Sequence, residues 1–120
     1  MSTVSLLPLI VNLQITQNTD NQIEFVLSDN SLPVNITSDT ITLVMKTNYG
    51  GVIKINKSNG PGGHSDPTNG KTRFLLTKLE MRGTSLAVAE TWVYQLRRIV
   101  AGSLDEIVYF AGDVLLTPSF

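Results

Sequence analysis

Cysteine is absent from the 120 residues. Disulfides and thiolate metal sites are therefore excluded, and a reducing compartment fits the composition. Histidine is nearly absent too: His64 is alone. A metal centre needs three or four ligands, and general-base chemistry needs a shaped pocket around the base. A serine nucleophile needs both a base and an orienting acid. One histidine and no G-x-S-x-G stretch do not supply these. Charge is sparse as well, at 16% of residues and a formal net charge of −1, against about 25% charged in an ordinary globular chain. No run of like charge is present to attract nucleic acid or an anionic membrane, so neither is expected as a partner. The apolar stretch near the start is interrupted by Pro8 and ended by Asn12, and no basic residue precedes it. It reads as neither a signal peptide nor a membrane span.

Three motif fragments add little. Gly60, Gly62 and Gly63 surround Pro61, but no Lys-Ser/Thr pair and no helix pattern follow, so a phosphate loop is not indicated. Asp105 and Glu106 are adjacent, and neighbouring side chains on a turn or strand point apart, unlike the paired carboxylates of a glycosidase. Asn35, Ile36 and Thr37 match a glycosylation acceptor without a secretory context. The expectation is a non-enzymatic protein with no catalytic, cofactor-binding or metal-binding residues.

What the chain does have is 42% hydrophobic residues and a neutral polar complement of thirteen Thr, ten Ser and nine Asn. Residues 1–120 fit one domain. A chain of this length buries roughly two-thirds of its unfolded surface and needs no staples. Thr, Ser and Asn suit strands and turns. A surface covered by neutral groups costs less to desolvate than one covered by ions, which suits a protein packed in an assembly.

Alternation with a period of two is the dominant pattern. Leu9, Val11, Leu13 and Ile15 share one face of a first strand, and Ile23, Phe25 and Leu27 one face of a second. Residues 28–33 carry turn chemistry. Ile41, Leu43 and Met45 mark a third strand, and Tyr49, Gly50 and Gly51 a hairpin turn into a fourth at 52–57. Residues 58–69 hold three glycines and two prolines and read as a flexible, exposed loop with His64 in solvent. Residues 70–77 form a fifth strand, and 78–83 a short helical turn. Residues 84–101 match a helical stripe as well as a strand; the run of short strands around them favours a strand at about 91–100, with Trp92, Tyr94 and Leu96 inward. The last strand is expected at 107–117, with a bulge at Gly112. About seven strands at these spacings indicate an all-β chain folded as an immunoglobulin-like antiparallel β-sandwich. Residues 1–8 read as an N-terminal arm or the start of an edge strand.

The order of features resembles a group of small phage structural proteins with an immunoglobulin-like sandwich, similar to the amino-terminal domain of the phage baseplate upper protein. The stretch SDNSLPVNIT at 28–37 matches that group's turn and Pro-led step. Residues 41–47, 70–77, 79–83, 92–96 and 112–117 match its later strands and turns. The entry to the Trp92 strand departs from it, reading Ala89 and Glu90 where the group has glycine. The resemblance implies a virion component, assembled in the host bacterial cytoplasm and present in the virion in many copies in a symmetric setting. It implies docking onto capsid, neck or tail proteins, and no cofactor. Leu6, Leu7, Pro8, Tyr49, Tyr109 and Phe120 are the candidate interaction residues. The alternative is a module that binds host-surface sugar or a receptor, with Tyr49 as the exposed aromatic.

Overall fold

The structure, a computed structural model, describes residues 9–103 and 106–119. Strands β1 (Leu9–Ile10) and β2 (Leu13–Thr16) are followed by β3 (Asn21–Val26), β4 (Ser28–Asp29) and β5 (Leu32–Pro33). Then come β6 (Thr40–Lys46), β7 (Ile53–Asn59), β8 (Lys71–Leu76), β9 (Glu90–Ile99) and β10 (Glu106–Thr117). Among the described residues no α-helix is present; one 3-10 turn spans Pro67–Asn69.

The period-two pattern builds two layers. A large sheet runs β7-β6-β9-β10, with β1 and β2 side by side in sequence along the far edge of β10. A small sheet pairs β3 with β8, and β4 and β5 form a two-residue ribbon. The chain crosses between layers from β2 to β3, from β3 to β6, from β7 to β8 and from β8 to β9. With β1 and β2 counted as one interrupted strand, seven long strands make the all-β sandwich expected.

Alternate residues of both layers meet in one core. Ile41, Leu43 and Met45 of β6, Trp92, Tyr94 and Leu96 of β9, and Phe25 and Phe74 of the small sheet are buried in it. Phe25 and Phe74 meet edge-on at 6.1 Å, a favoured arrangement for aromatic rings. The helical stripe over residues 84–101 loses to the strand because β9 is paired along both edges, with β6 and β10. Pairing on two sides satisfies backbone groups that a helix of this length would have to satisfy alone.

Two local expectations change, and two gain detail. The first strand does not send four residues inward: the chain leaves the sheet at Val11 and Asn12, Leu9 and Val11 stay exposed, and only Leu13 and Ile15 join the core. Both pieces run parallel to β10, unlike the other pairs. Gly112 is not a bulge. The β9–β10 register shifts between Val108 and Phe110, beside Tyr109. Gly112 instead lets the first strand approach, because a Cβ there would lie 2.3 Å from the Val11 carbonyl oxygen. Residues 28–33 form the β4–β5 ribbon around Asn30 and Ser31, whose φ of 50° and 65° give a tight hairpin turn. Residues 78–83 hold a single turn, in which the Met81 amide donates to the Thr77 carbonyl at 3.1 Å.

Residues 58–69 are also not an exposed loop throughout. Ser58 and Asn59 finish β7, and the 3-10 turn docks on the body where the Ile36 amide donates to the Pro67 carbonyl at 3.0 Å. Gly70 takes φ of 72°, and a Cβ there would meet the Leu27 carbonyl oxygen at 2.3 Å. Glycine and proline had indicated irregular backbone, and that backbone is hydrogen-bonded rather than loose.

Candidate functional site

The outer face of the large sheet is set by strand register. β9 sends Trp92, Tyr94 and Leu96 inward, so Val93, Gln95 and Arg97 point outward. Pairing places Lys46, Val93 and Asp113 in one row across β6, β9 and β10. The next row is Asn56, Val44, Gln95, Ala111 and Ile10. These two rows carry no charge between their flanks, and the Arg97 guanidinium of the following row reaches back onto Gln95. Val44 and Ala111 are each 8% exposed although no second layer covers them; their neighbours shield them. Ile10 at 66% and Ile53 at 52% extend the apolar surface to the two edges.

Charge sits at the margins of this face. Lys46 and Asp113 flank Val93 at two strand spacings from each other, roughly 10 Å, and neither has an ion-pair partner among the described residues. The Arg97 guanidinium lies back along the sheet, donating to Gln95 Oε1 at 2.9 and 3.1 Å and reaching Glu106 at 3.7 Å. A shallow groove of about 160 Å³ opens where the β6–β7 hairpin bends over the sheet. Tyr49 and Gly50 form one wall, and Lys46, Val93, Gln95 and Arg97 the floor. Tyr49 is 76% exposed.

At one end of the sandwich a polar cluster replaces hydrophobic packing. Asp39 accepts from Arg98 Nε at 2.7 Å and from the Ala101 amide at 3.1 Å. Arg98 also donates to the Tyr109 hydroxyl at 3.2 Å. Burial pulls the Arg98 pKa down, but its bonds to Asp39 and Tyr109 outweigh that and hold it above its ordinary value. His64 is wedged into the same cluster. Its Nε2 meets the Asp39 carbonyl oxygen at 2.8 Å, and its Nδ1 meets Thr72 Oγ1 at 3.0 Å. A carbonyl only accepts, so Nε2 carries a proton; Thr72 Oγ1 accepts from Asn59 Nδ2 at 2.8 Å and shares its second hydrogen bond with Nδ1. The solvent position expected for His64 is thus corrected. Both ring nitrogens are occupied in holding residues 60–70 to the start of β6, and this cluster is a structural clasp.

The opposite end is closed by a second clasp. The buried Gln17 amide donates to the Val88 carbonyl at 2.8 Å and accepts from the Gly83 amide at 2.8 Å. Glu90 accepts from the Thr84 amide at 2.9 Å and from Trp92 Nε1 at 2.5 Å, and these bonds hold its carboxyl below the usual carboxylate range. The Tyr94 hydroxyl, pushed up to about 12 by burial, donates to the Val11 carbonyl at 2.7 Å. Among the described residues no group of three or more His, Asp or Glu side chains is placed to hold a metal, and no helix is long and apolar enough to cross a membrane.

Of the residues singled out in the sequence, Tyr49 lies on the groove. Tyr109 does not join it: its ring is half-buried, packs against the core and carries the Arg98 contact. Leu6, Leu7, Pro8 and Phe120 lie outside the described residues. Val44, Val93, Gln95 and Ala111 were not foreseen as surface-forming residues. Their signal was apolar character on the nominally polar side of β6, β9 and β10, which only register brings together.

No family model and no curated protein matches the chain. Among solved structures the chain is similar to the N-terminal domain of phage TP901-1 ORF48, at 12% identity and a TM-score of 0.50. The match covers 96% of this chain and 92% of that one. At that identity the likeness is one of fold.

Proposed function

We propose that the protein is a non-enzymatic bacteriophage virion component that docks onto other virion proteins through the outer face of its large sheet. The observation that carries docking is the pair of adjacent rows on that face in which Val44, Val93, Gln95 and Ala111 lie side by side without a covering layer, with charge entering only where Arg97 reaches back to Gln95. Neutral and apolar groups are the ones an interface desolvates most cheaply, and interface centres are depleted of charge. The phage setting is supported by the family resemblance in the sequence and by a fold shared, over nearly the whole length of both chains, with a phage protein domain. Fold alone does not fix function, so the experiment is direct. Antibodies against the protein should label purified particles from a host carrying its gene, at repeated positions, in electron micrographs. Purified particles free of the protein would contradict the reading. Head, neck and tail positions are distinguished in the same images.

A second reading is favoured by one observation: Tyr49 is exposed beside a groove whose floor holds Lys46, Gln95 and Arg97. An aromatic wall with polar donors below suits a sugar ring, and the groove then serves host-surface recognition. A glycan array decides it. Binding abolished by Tyr49→Ala supports this reading, and a blank array removes it.

A further inference from the structure

The rows on the outer face of the large sheet are self-complementary, and we propose that the partner seated there is a second copy of this chain, related by a two-fold axis running along β9. The inference rests on the reading of this face as a docking surface and goes on to name its occupant. An isologous interface requires each residue to meet a complementary one on the same patch of the partner. Consider two large sheets packed face to face, roughly 10 Å apart, with the axis between them parallel to β9. β9 then stacks on β9, and β6 of one copy lies over β10 of the other. Residues in one row exchange places across the axis.

The row Lys46, Val93, Asp113 satisfies this requirement. Lys46 of each copy faces Asp113 of the other, so the two unpaired charges at the margins become two symmetric ion pairs with Val93 between them. The next row puts Val44 over Ala111 and Gln95 over Gln95. The Gln95 amide nitrogen has no partner among the described residues, its oxygen being taken by Arg97. Arg97 is the one like-charge contact near the axis. It is partly neutralised by Glu106 of its own copy, 3.7 Å away. The outer face of the small sheet lacks this property: Glu24 and Arg73 already pair within one copy, which leaves Lys71 with no acidic counterpart on that face.

Sedimentation equilibrium on the purified full chain tests the proposal. Wild type is expected as a dimer. Lys46→Glu alone and Asp113→Lys alone each set like charges face to face twice per dimer and should weaken association about tenfold or more. The double variant Lys46→Glu with Asp113→Lys restores both pairs and should recover the dimer. Glu24→Lys on the small sheet should leave it unchanged, and circular dichroism confirms that each variant is folded. A monomeric wild type, or a double variant no tighter than the singles, overturns the proposal. A monomer that still labels phage particles would assign the face to a different virion protein, overturning the inference while the virion reading stands. A dimer absent from particles would do the reverse.

Discussion

The outer face of the small sheet and the outer face of the large sheet cover the same core but meet water in different ways. On the small sheet Leu75 and Val26 are exposed, yet they sit among Gln22, Lys71 and the cross-strand pair of Glu24 and Arg73, 3.1 Å apart. Charge spans that face, and two of its three charged groups pair within it. On the large sheet the centre is Val44, Val93, Gln95 and Ala111, and the charges of Lys46 and Asp113 stand apart at the sides. The small sheet pairs Glu24 with Arg73 and exposes its apolar residues singly, whereas the large sheet shields Val44 and Ala111 beneath their neighbours and leaves Lys46 and Asp113 without ion-pair partners among the described residues. The edges differ in the same sense. The β8 edge is closed to further strands because Lys57 Nζ and Asn59 Nδ2 donate to the Leu75 and Arg73 carbonyls.

The largest effect should come from the core that both faces share. Trp92 is fully buried, and Trp92→Ala should cost about 3–5 kcal/mol in urea unfolding. A near-neutral result would mean that the layers are not held together as described. Next is Arg98→Ala, which strands the Asp39 carboxylate where both side chains are largely buried. A loss of about 3 kcal/mol is expected, with Arg98→Lys recovering only part of it because lysine lacks the planar fork. A loss below about 1 kcal/mol would show that the clasp is solvated.

Smaller effects sharpen the contrast. Glu90 has its pKa lowered by the Thr84 amide and the Trp92 indole. A depressed folded pKa contributes stability that is present above the unfolded value, near 4.3, and lost as the pH falls through the folded one. Melting temperatures of wild type and Glu90→Gln should therefore converge as the pH is lowered from 7 toward 3; parallel curves would contradict the assignment. Glu24→Ala on the small sheet should cost no more than about 1 kcal/mol, and less in high salt, as a surface ion pair does. Smallest of all in stability, at about 0.5 kcal/mol or less, should be Val93→Glu and Leu75→Glu. Only the first should abolish association, and equal effects of both would erase the distinction between the faces.

Much of the sandwich was legible because alternation is a local signal. Ile41, Leu43 and Met45 lie within five residues and declare their face without help. Trp92, Tyr94 and Leu96 do the same once neighbouring strands are allowed to compete with the helical stripe. The composition of the large sheet's outer face was not legible. Lys46, Val93 and Asp113 become one row only through two pairings, and no single stretch of chain encodes a register. Gly112 misled for a related reason: its need for close approach comes from Val11, about a hundred residues earlier. The loop of His64 misled differently. Glycine and proline rule out regular structure, but they do not rule out hydrogen bonds, and His64, Thr72 and Asp39 meet through contacts between distant segments. Tyr49 was legible as exposed because a hairpin tip leaves an aromatic little to pack on.

Amide chemical shifts of uniformly labelled protein, followed through a dilution series, test most directly whether the large sheet is the face that meets partners. Concentration-dependent changes should concentrate at Lys46, Val93, Gln95, Ala111 and Asp113, leaving Gln22, Glu24, Arg73 and Leu75 in place. Changes gathered on the small sheet, or none on either face at any concentration, would contradict the account.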